Sequence, residues 1–217
     1  MPRKARTPYA ILGLLCWKPM SGYDIKKMVE VGLQYFWSES YGQIFPTLNR
    51  LVEDGLATRR IDPASGRRRR QVYTATPAGR RAFEAWLRQP TDLPRLRDEL
   101  KLKFFLTSRS AVGEGVRLLK EYRDRQREHL QMLKESEAIL ATALREPGMP
   151  EELQELQKTL AWNESGLTPA QCHELLVFYL TLRSGILVAE ARVAWVEEVL
   201  PILQAGRLPD GRQGDPS

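Results

Sequence analysis

The chain is poor in histidine and cysteine, two residues on which catalysis and metal binding often draw. It has two histidines and two cysteines in 217 residues. Cys16 and Cys172 lie far apart in apolar stretches, so they build neither a disulfide framework nor a zinc spacing. A reducing cytoplasm is the expected home. His129 stands alone, and His173 adjoins Cys172, but neighbours on a helix do not share a face. A glycine-rich phosphate loop, a zinc-binding HExxH and a nucleophile elbow are all missing, so neither an enzyme nor a cofactor is expected. No apolar run reaches the roughly 18 residues of a membrane span. Residues 2–17 imitate the charged and apolar parts of an export signal, but Lys18-Pro19-Met20 follows where a small-x-small cleavage pattern would stand.

Positive charge is abundant and unevenly placed. Residues 1–90 hold 16 Lys/Arg against 7 Asp/Glu, and residues 91–217 hold 17 against 20. A basic half joined to a mildly acidic one describes a polyanion-binding module attached to a part with another task. With 42% hydrophobic residues, both halves can build a core.

The surplus has a focus. Arg67, Arg68, Arg69 and Arg70 follow the turn-forming run Ile61-Asp62-Pro63-Ala64-Ser65-Gly66. Strand-like residues flank them, Leu56 to Arg60 before and Gln71 to Thr76 after. The four arginines therefore sit near the tip of a β-hairpin. Upstream, Ser21 with Asp24 three positions on is a variant capping box, opening a helix from about residue 22 to 31. A second helix begins between Ser40 and Ile44, buries Ile44, Leu48, Leu51 and Val52 at spacings of three and four, and stops at Asp54-Gly55. Helix, helix, strand, basic tip and strand make a winged helix-turn-helix. The second helix would enter the major groove of double-stranded DNA with Gln43, Thr47 and Arg50 outward and Tyr41 near its start. The arginine tip would hold flanking phosphates.

Thr76-Pro77 then caps another helix, and residues 89–94, with two prolines, are the natural domain boundary. The remainder reads as all helix. Residues 111–146 form a long helix, a shorter one spans about 151–161, and Thr168-Pro169-Ala170-Gln171 is a capping box. The last helix carries Leu175, Tyr179, Leu182, Ile186, Ala189, Val193, Val196 and Leu200 in a heptad stripe ending at Pro201. A second apolar row of Leu176, Leu180, Leu187, Ala191 and Ala194 widens the face. One winged helix covers a half-site, so this helix is expected to form a homodimer seam through Leu175, Tyr179, Leu182, Ile186, Val193 and Val196. Trp86, Phe104, Phe105, Tyr122, Trp162, Phe178, Tyr179 and Trp195 are either core or the lining of a pocket for a small aromatic effector. The expected fold is mainly α. A winged helix-turn-helix with its small β-hairpin spans 1–90, an all-α dimerisation and effector domain spans 95–205, and a disordered tail spans 206–217.

These residues resemble the PadR family of bacterial transcriptional regulators. The likeness runs through Tyr9-Ala10-Ile11-Leu12-Gly13-Leu14-Leu15, Ser21-Gly22-Tyr23-Asp24-Ile25 and Gly42-Gln43-Ile44-Phe45-Pro46-Thr47-Leu48. It continues through Arg70-Gln71-Val72-Tyr73-Thr74-Ala75-Thr76-Pro77. Leu96 to Leu106 is similar to the start of the virulence-activator-like C-terminal region of the longer members. Members commonly carry tyrosine where this chain has Phe45. The resemblance implies a homodimeric regulator, most often a repressor, released from DNA in some members by a phenolic or drug-like compound. An activator that recruits a second regulator, and a winged-helix interaction module without DNA binding, are the alternatives.

Overall fold

The structure is a computed structural model that describes residues 6–30, 41–62, 70–91, 98–109, 112–146, 148–160, 162 and 166–208. The chain forms two compact units, residues 1–92 with 151–167, and residues 93–150 with 168–217.

The first unit is built around α1 (Thr7–Trp17), whose Ile11, Leu12, Leu14 and Leu15 are buried. It is apolar on every side because later helices and a strand of the sheet pack against it at once. β1 (Met20–Ser21) leads into α2 (Gly22–Met28). The capping box is formed in full: the Ser21 hydroxyl accepts from the Asp24 amide (3.2 Å) and the Ser21 amide donates to the Asp24 carboxylate (2.8 Å). A 3-10 turn, Tyr41–Gln43, enters α3 (Ile44–Glu53), so Pro46 sits in the first turn, where its missing amide costs no helical bond. Gly55, at φ +69°, ends α3 in the left-handed conformation. β2 (Ala57–Ile61) and β3 (Gln71–Ala75) form the antiparallel hairpin, with β1 on the far side of β3. Register runs from Ala57 opposite Ala75 to Ile61 opposite Gln71. α4 (Pro77–Leu87) starts at the Thr76 cap, with proline at its first position.

The second unit contains α5 (Glu99–Leu106), α6 (Val112–Arg145) and, after an excursion of the chain, α8 (Pro169–Ala205). α6 and α8 run antiparallel, as Arg127–Glu197, Lys134–Glu190 (2.8 Å) and Arg183–Glu137 (3.1 Å) show in sequence order. Leu119, Val196 and Leu200 make a core against which Phe104, Tyr122 and Trp195 pack. α8 does not stop at Pro201. It continues one more turn to Ala205 and ends at Gly206, φ +67°. Residues 209–217, most of the expected disordered tail, lie outside the described residues, as do residues 92–97, which include the end of the linker.

The expected boundary between halves needs one correction. α7 (Glu151–Leu160) belongs to the first unit although residues 93–150 precede it. Its Leu153, Leu156 and Leu160 are buried, α2 packs against it, and Lys27 reaches Glu155 at 3.0 Å. The stripe at spacings of three and four is the reason: a ten-residue helix is too short to stand alone and takes the nearest apolar face.

Candidate nucleic-acid interface

The buried side of α3 is Ile44, Thr47, Leu48 and Leu51. Its outer side is Gln43, Phe45, Pro46, Asn49, Arg50 and Glu53, all exposed. Two of the residues expected to meet DNA, Gln43 and Arg50, are thus on the outer side. Arg50 is 72% exposed and loosely paired with Asp54 at 3.8 Å, a surface ion pair worth at most about 1 kcal/mol that a phosphate can replace.

Thr47 is a correction. It is only 8% exposed, and with Arg50 it borders a cleft of about 280 Å³ whose far wall includes Pro8, Tyr9 and Leu12. Position 47 falls between 44 and 51 in the three-four pattern, so it turns inward with the core stripe. Tyr41 opens the 3-10 turn, and its side chain lies outside the described part. Asn49 is a residue that the sequence pattern alone does not single out. It sits one turn on from Phe45 and accepts a hydrogen bond from Arg59 of β2 at 3.4 Å, which ties the hairpin to the outer face of α3. Its only mark in the sequence is a position on the polar side of the helix, opposite Ile44, Leu48 and Leu51.

The hairpin carries further charge. Thr58, Arg59, Arg60 and Ile61 are all exposed, so the strand extends past the core. The Asp62 amide donates to the Arg70 carbonyl at 2.8 Å, and residues 63–69 connect these two positions. Arg67, Arg68 and Arg69 lie outside the described residues. Arg70 is described, and its guanidinium is bonded to the Asp24 carboxylate. Burial works to raise the Asp24 pKa, but hydrogen bonds from the Ser21 amide and hydroxyl and from Arg70 outweigh it, so the carboxyl stays below the usual range. Lys18, beside the same pair, is lowered by burial, with Asp24 opposing and Arg70 adding to the shift. Arg70 therefore anchors the root of the wing to the cap of α2.

The expected dimer seam is a second correction. Leu175, Leu182, Ile186, Val193 and Val196 are each at most 8% exposed, buried within the chain's own second unit, where α8 packs on α6. The Tyr179 hydroxyl donates to Glu137 of α6 at 3.2 Å. An intrachain antiparallel pair and an interchain coiled coil need the same heptad, and periodicity alone cannot tell them apart. What remains open is the second row: Leu176, Leu180 and Leu187 are 41%, 56% and 56% exposed, with Ala191 and Ala194 also exposed.

The aromatic residues considered for an effector pocket are divided between the units. Trp86 stacks on Tyr9 at 5.2 Å, Trp162 is buried in the first unit, and Phe104 meets the edge of Trp195 at 6.4 Å. Phe105 is 73% exposed. Among the described residues no helix is long and apolar enough to cross a membrane.

An outward polar helix tied to a basic hairpin is the arrangement of DNA-binding winged helices. Comparison with known proteins agrees. Residues 11–85 match the transcriptional regulator PadR-like family, and residues 96–204 match the virulence activator alpha C-terminal family. The negative transcriptional regulator PadR of Bacillus subtilis is 33% identical over 137 residues, 62% of this chain and 75% of that protein. The chain belongs to the PadR-like family of transcriptional regulators. Its structure resembles that of Bacillus subtilis PadR in complex with operator DNA, with a TM-score of 0.72 and 25% identity over 92% of this chain and 99% of the other. The same PadR has been crystallised with p-coumaric acid (TM-score 0.63, 26% identity, 90% and 97% covered). The Vibrio cholerae virulence activator AphA is also similar, with a TM-score of 0.65 and 29% identity over 92% and 98%. As a PadR-like regulator the chain falls in a class that is not enzymatic.

Proposed function

We propose that this PadR-like regulator binds a specific duplex DNA operator as a homodimer in the cytoplasm, and that it represses transcription and catalyses no reaction. The observation that carries the reading is the likeness, over 92% of the chain, to a protein crystallised on operator DNA. In this reading α3 lies in the major groove. Gln43 and Asn49 pair with adenine edges, a geometry that amide side chains allow, and Arg50 holds guanine or phosphate. Arg67, Arg68 and Arg69 neutralise phosphates beside the groove. Arg70 and Asp24 fix the root of the wing. The second copy covers the outer row of α8, Leu176, Leu180, Leu187, Ala191 and Ala194, whose spacing is that of a helix–helix seam. Two-fold symmetry then demands an inverted repeat with half-sites about one helical turn, 10–10.5 base pairs, apart.

Release by a small aromatic acid is supported by the p-coumaric acid complex of Bacillus subtilis PadR. Such a ligand would act by favouring a dimer in which both α3 helices cannot reach their grooves together. Activation is the second reading, favoured by the likeness to the AphA virulence activator. Selection of duplexes from a random pool tests the core of the proposal. An inverted repeat should emerge, and a pool that stays random would overturn it. A reporter in a deletion strain then gives the sign of regulation.

A further inference from the structure

The first turn of α3 leaves one large apolar side chain out of the core. Phe45 is 58% exposed, whereas Ile44, Leu48 and Leu51 from the same helix are at most 4% exposed. The core therefore does not need the ring. The ring instead has a neighbour in α2. It lies over Gly22 at the start of α2, and a β-carbon built at that glycine would stand 2.5 Å from Phe45 Cε1 and 2.8 Å from Cζ. A larger residue at position 22 would push the ring out of this place. Phe45 is consequently an exposed apolar ring at the N-terminal end of the helix, lying over Gly22, on the outer side that also carries Gln43 and Asn49.

An exposed ring at the N-terminal end of a recognition helix stands where base edges pass. The apolar group offered by the major groove is the C5-methyl of thymine, and cytosine presents hydrogen there. Phenylalanine has no group that binds phosphate or pairs with a base edge, so its contribution in the groove is apolar packing. We infer that Phe45 is a specificity-determining residue that packs on a thymine methyl at one position of each half-site. The inference rests on the reading that α3 enters the major groove.

Replacing thymine by deoxyuridine removes that methyl and leaves the pairing edge intact. In the selected duplex, each thymine is replaced in turn, symmetrically in both half-sites. Dissociation constants are measured for the full chain and for Phe45→Ala, with Phe45→Leu retained as an apolar control. One position should weaken the parent chain about fourfold per half-site, the effect of one buried methyl group. Phe45→Ala should bind thymine and deoxyuridine duplexes alike at that position, and Phe45→Leu should keep part of the preference. A parent chain that binds its operator with no such position, or a thymine preference that survives Phe45→Ala, would overturn the inference and leave DNA binding standing. Failure to select any duplex would instead overturn the groove reading, and this inference with it.

Discussion

Ile186 and Leu180 lie six residues apart on α8 and should respond in opposite ways to substitution. Ile186 is fully buried against the chain's own helices, and Leu180 is 56% exposed. Removing a buried isoleucine side chain costs about 2–5 kcal/mol. A glutamate there adds an unpaired charge in an apolar site, costing several kcal/mol more. Domains are held by only about 5–15 kcal/mol, so Ile186→Glu should unfold the helical unit. Leu180→Glu should cost an isolated chain about 0.5 kcal/mol or less. In a dimer the same change occurs twice by symmetry. Full burial of a leucine is worth about 1.5–3 kcal/mol, and roughly half of that remains to be gained at this position. Two copies thus lose about 2–3 kcal/mol, near two orders of magnitude in dimer affinity. Sedimentation equilibrium with a thermal melt on each variant separates the outcomes. Leu180→Glu should be a folded monomer, and Ile186→Glu should lose its cooperative transition. A Leu180→Glu protein that keeps dimer mass across a dilution series, or a folded monomeric Ile186→Glu, would refute the assignment of the two faces.

Asp24→Asn should cost about 1 kcal/mol at pH 7 through the weakened cap and wing anchor. The folded-state pKa of Asp24 is depressed, so its contribution is present above the unfolded value and lost as pH falls through the folded one. The gap between parent and variant in urea melts should therefore close in acid below about pH 4, and a constant gap would argue against a charged role. Leu156→Ala should destabilise the winged-helix unit by about 2–5 kcal/mol, because Leu156 is 3% exposed within it. Faster amide exchange in α2 would report this, and unchanged α2 protection would count against the packing of α7. Gly55→Ala should cost about 1–2 kcal/mol by thermal melt, since φ is +69° and no neighbouring atom lies within 4 Å of an added β-carbon. A neutral result would mean that the turn relaxes.

Local chemistry is well written in the sequence. The Ser21, Thr76 and Thr168 caps all form, because each places an acceptor three residues before an amide that lacks a partner. The hairpin is readable from the strand-like runs on either side of the turn-forming residues 61–66. What the sequence hides is the choice of partner. Thr47 lies on the core stripe, three positions after Ile44 and four before Leu51, but its polar side chain reads as outer surface until α1 is seen beside it. The α8 heptad is plain in the sequence, but burial against α6 and burial against a second chain make the same pattern. The docking of α7 on α2 joins residues 128 positions apart in the Lys27–Glu155 pair, beyond the reach of any local signal. Phe45 lies in plain view, and only its exposure sets it apart from the leucines around it.

The salt dependence of duplex binding tests the DNA-binding account most directly. For the selected operator, log K against log salt should fall on a straight line for the parent chain, the signature of displaced counterions. Replacing Arg67, Arg68 and Arg69 with alanine should flatten that slope by up to about 0.9 for each phosphate that is no longer neutralised. An affinity insensitive to salt, or a slope unchanged after all three arginines are removed, would contradict a wing that grips the phosphate backbone.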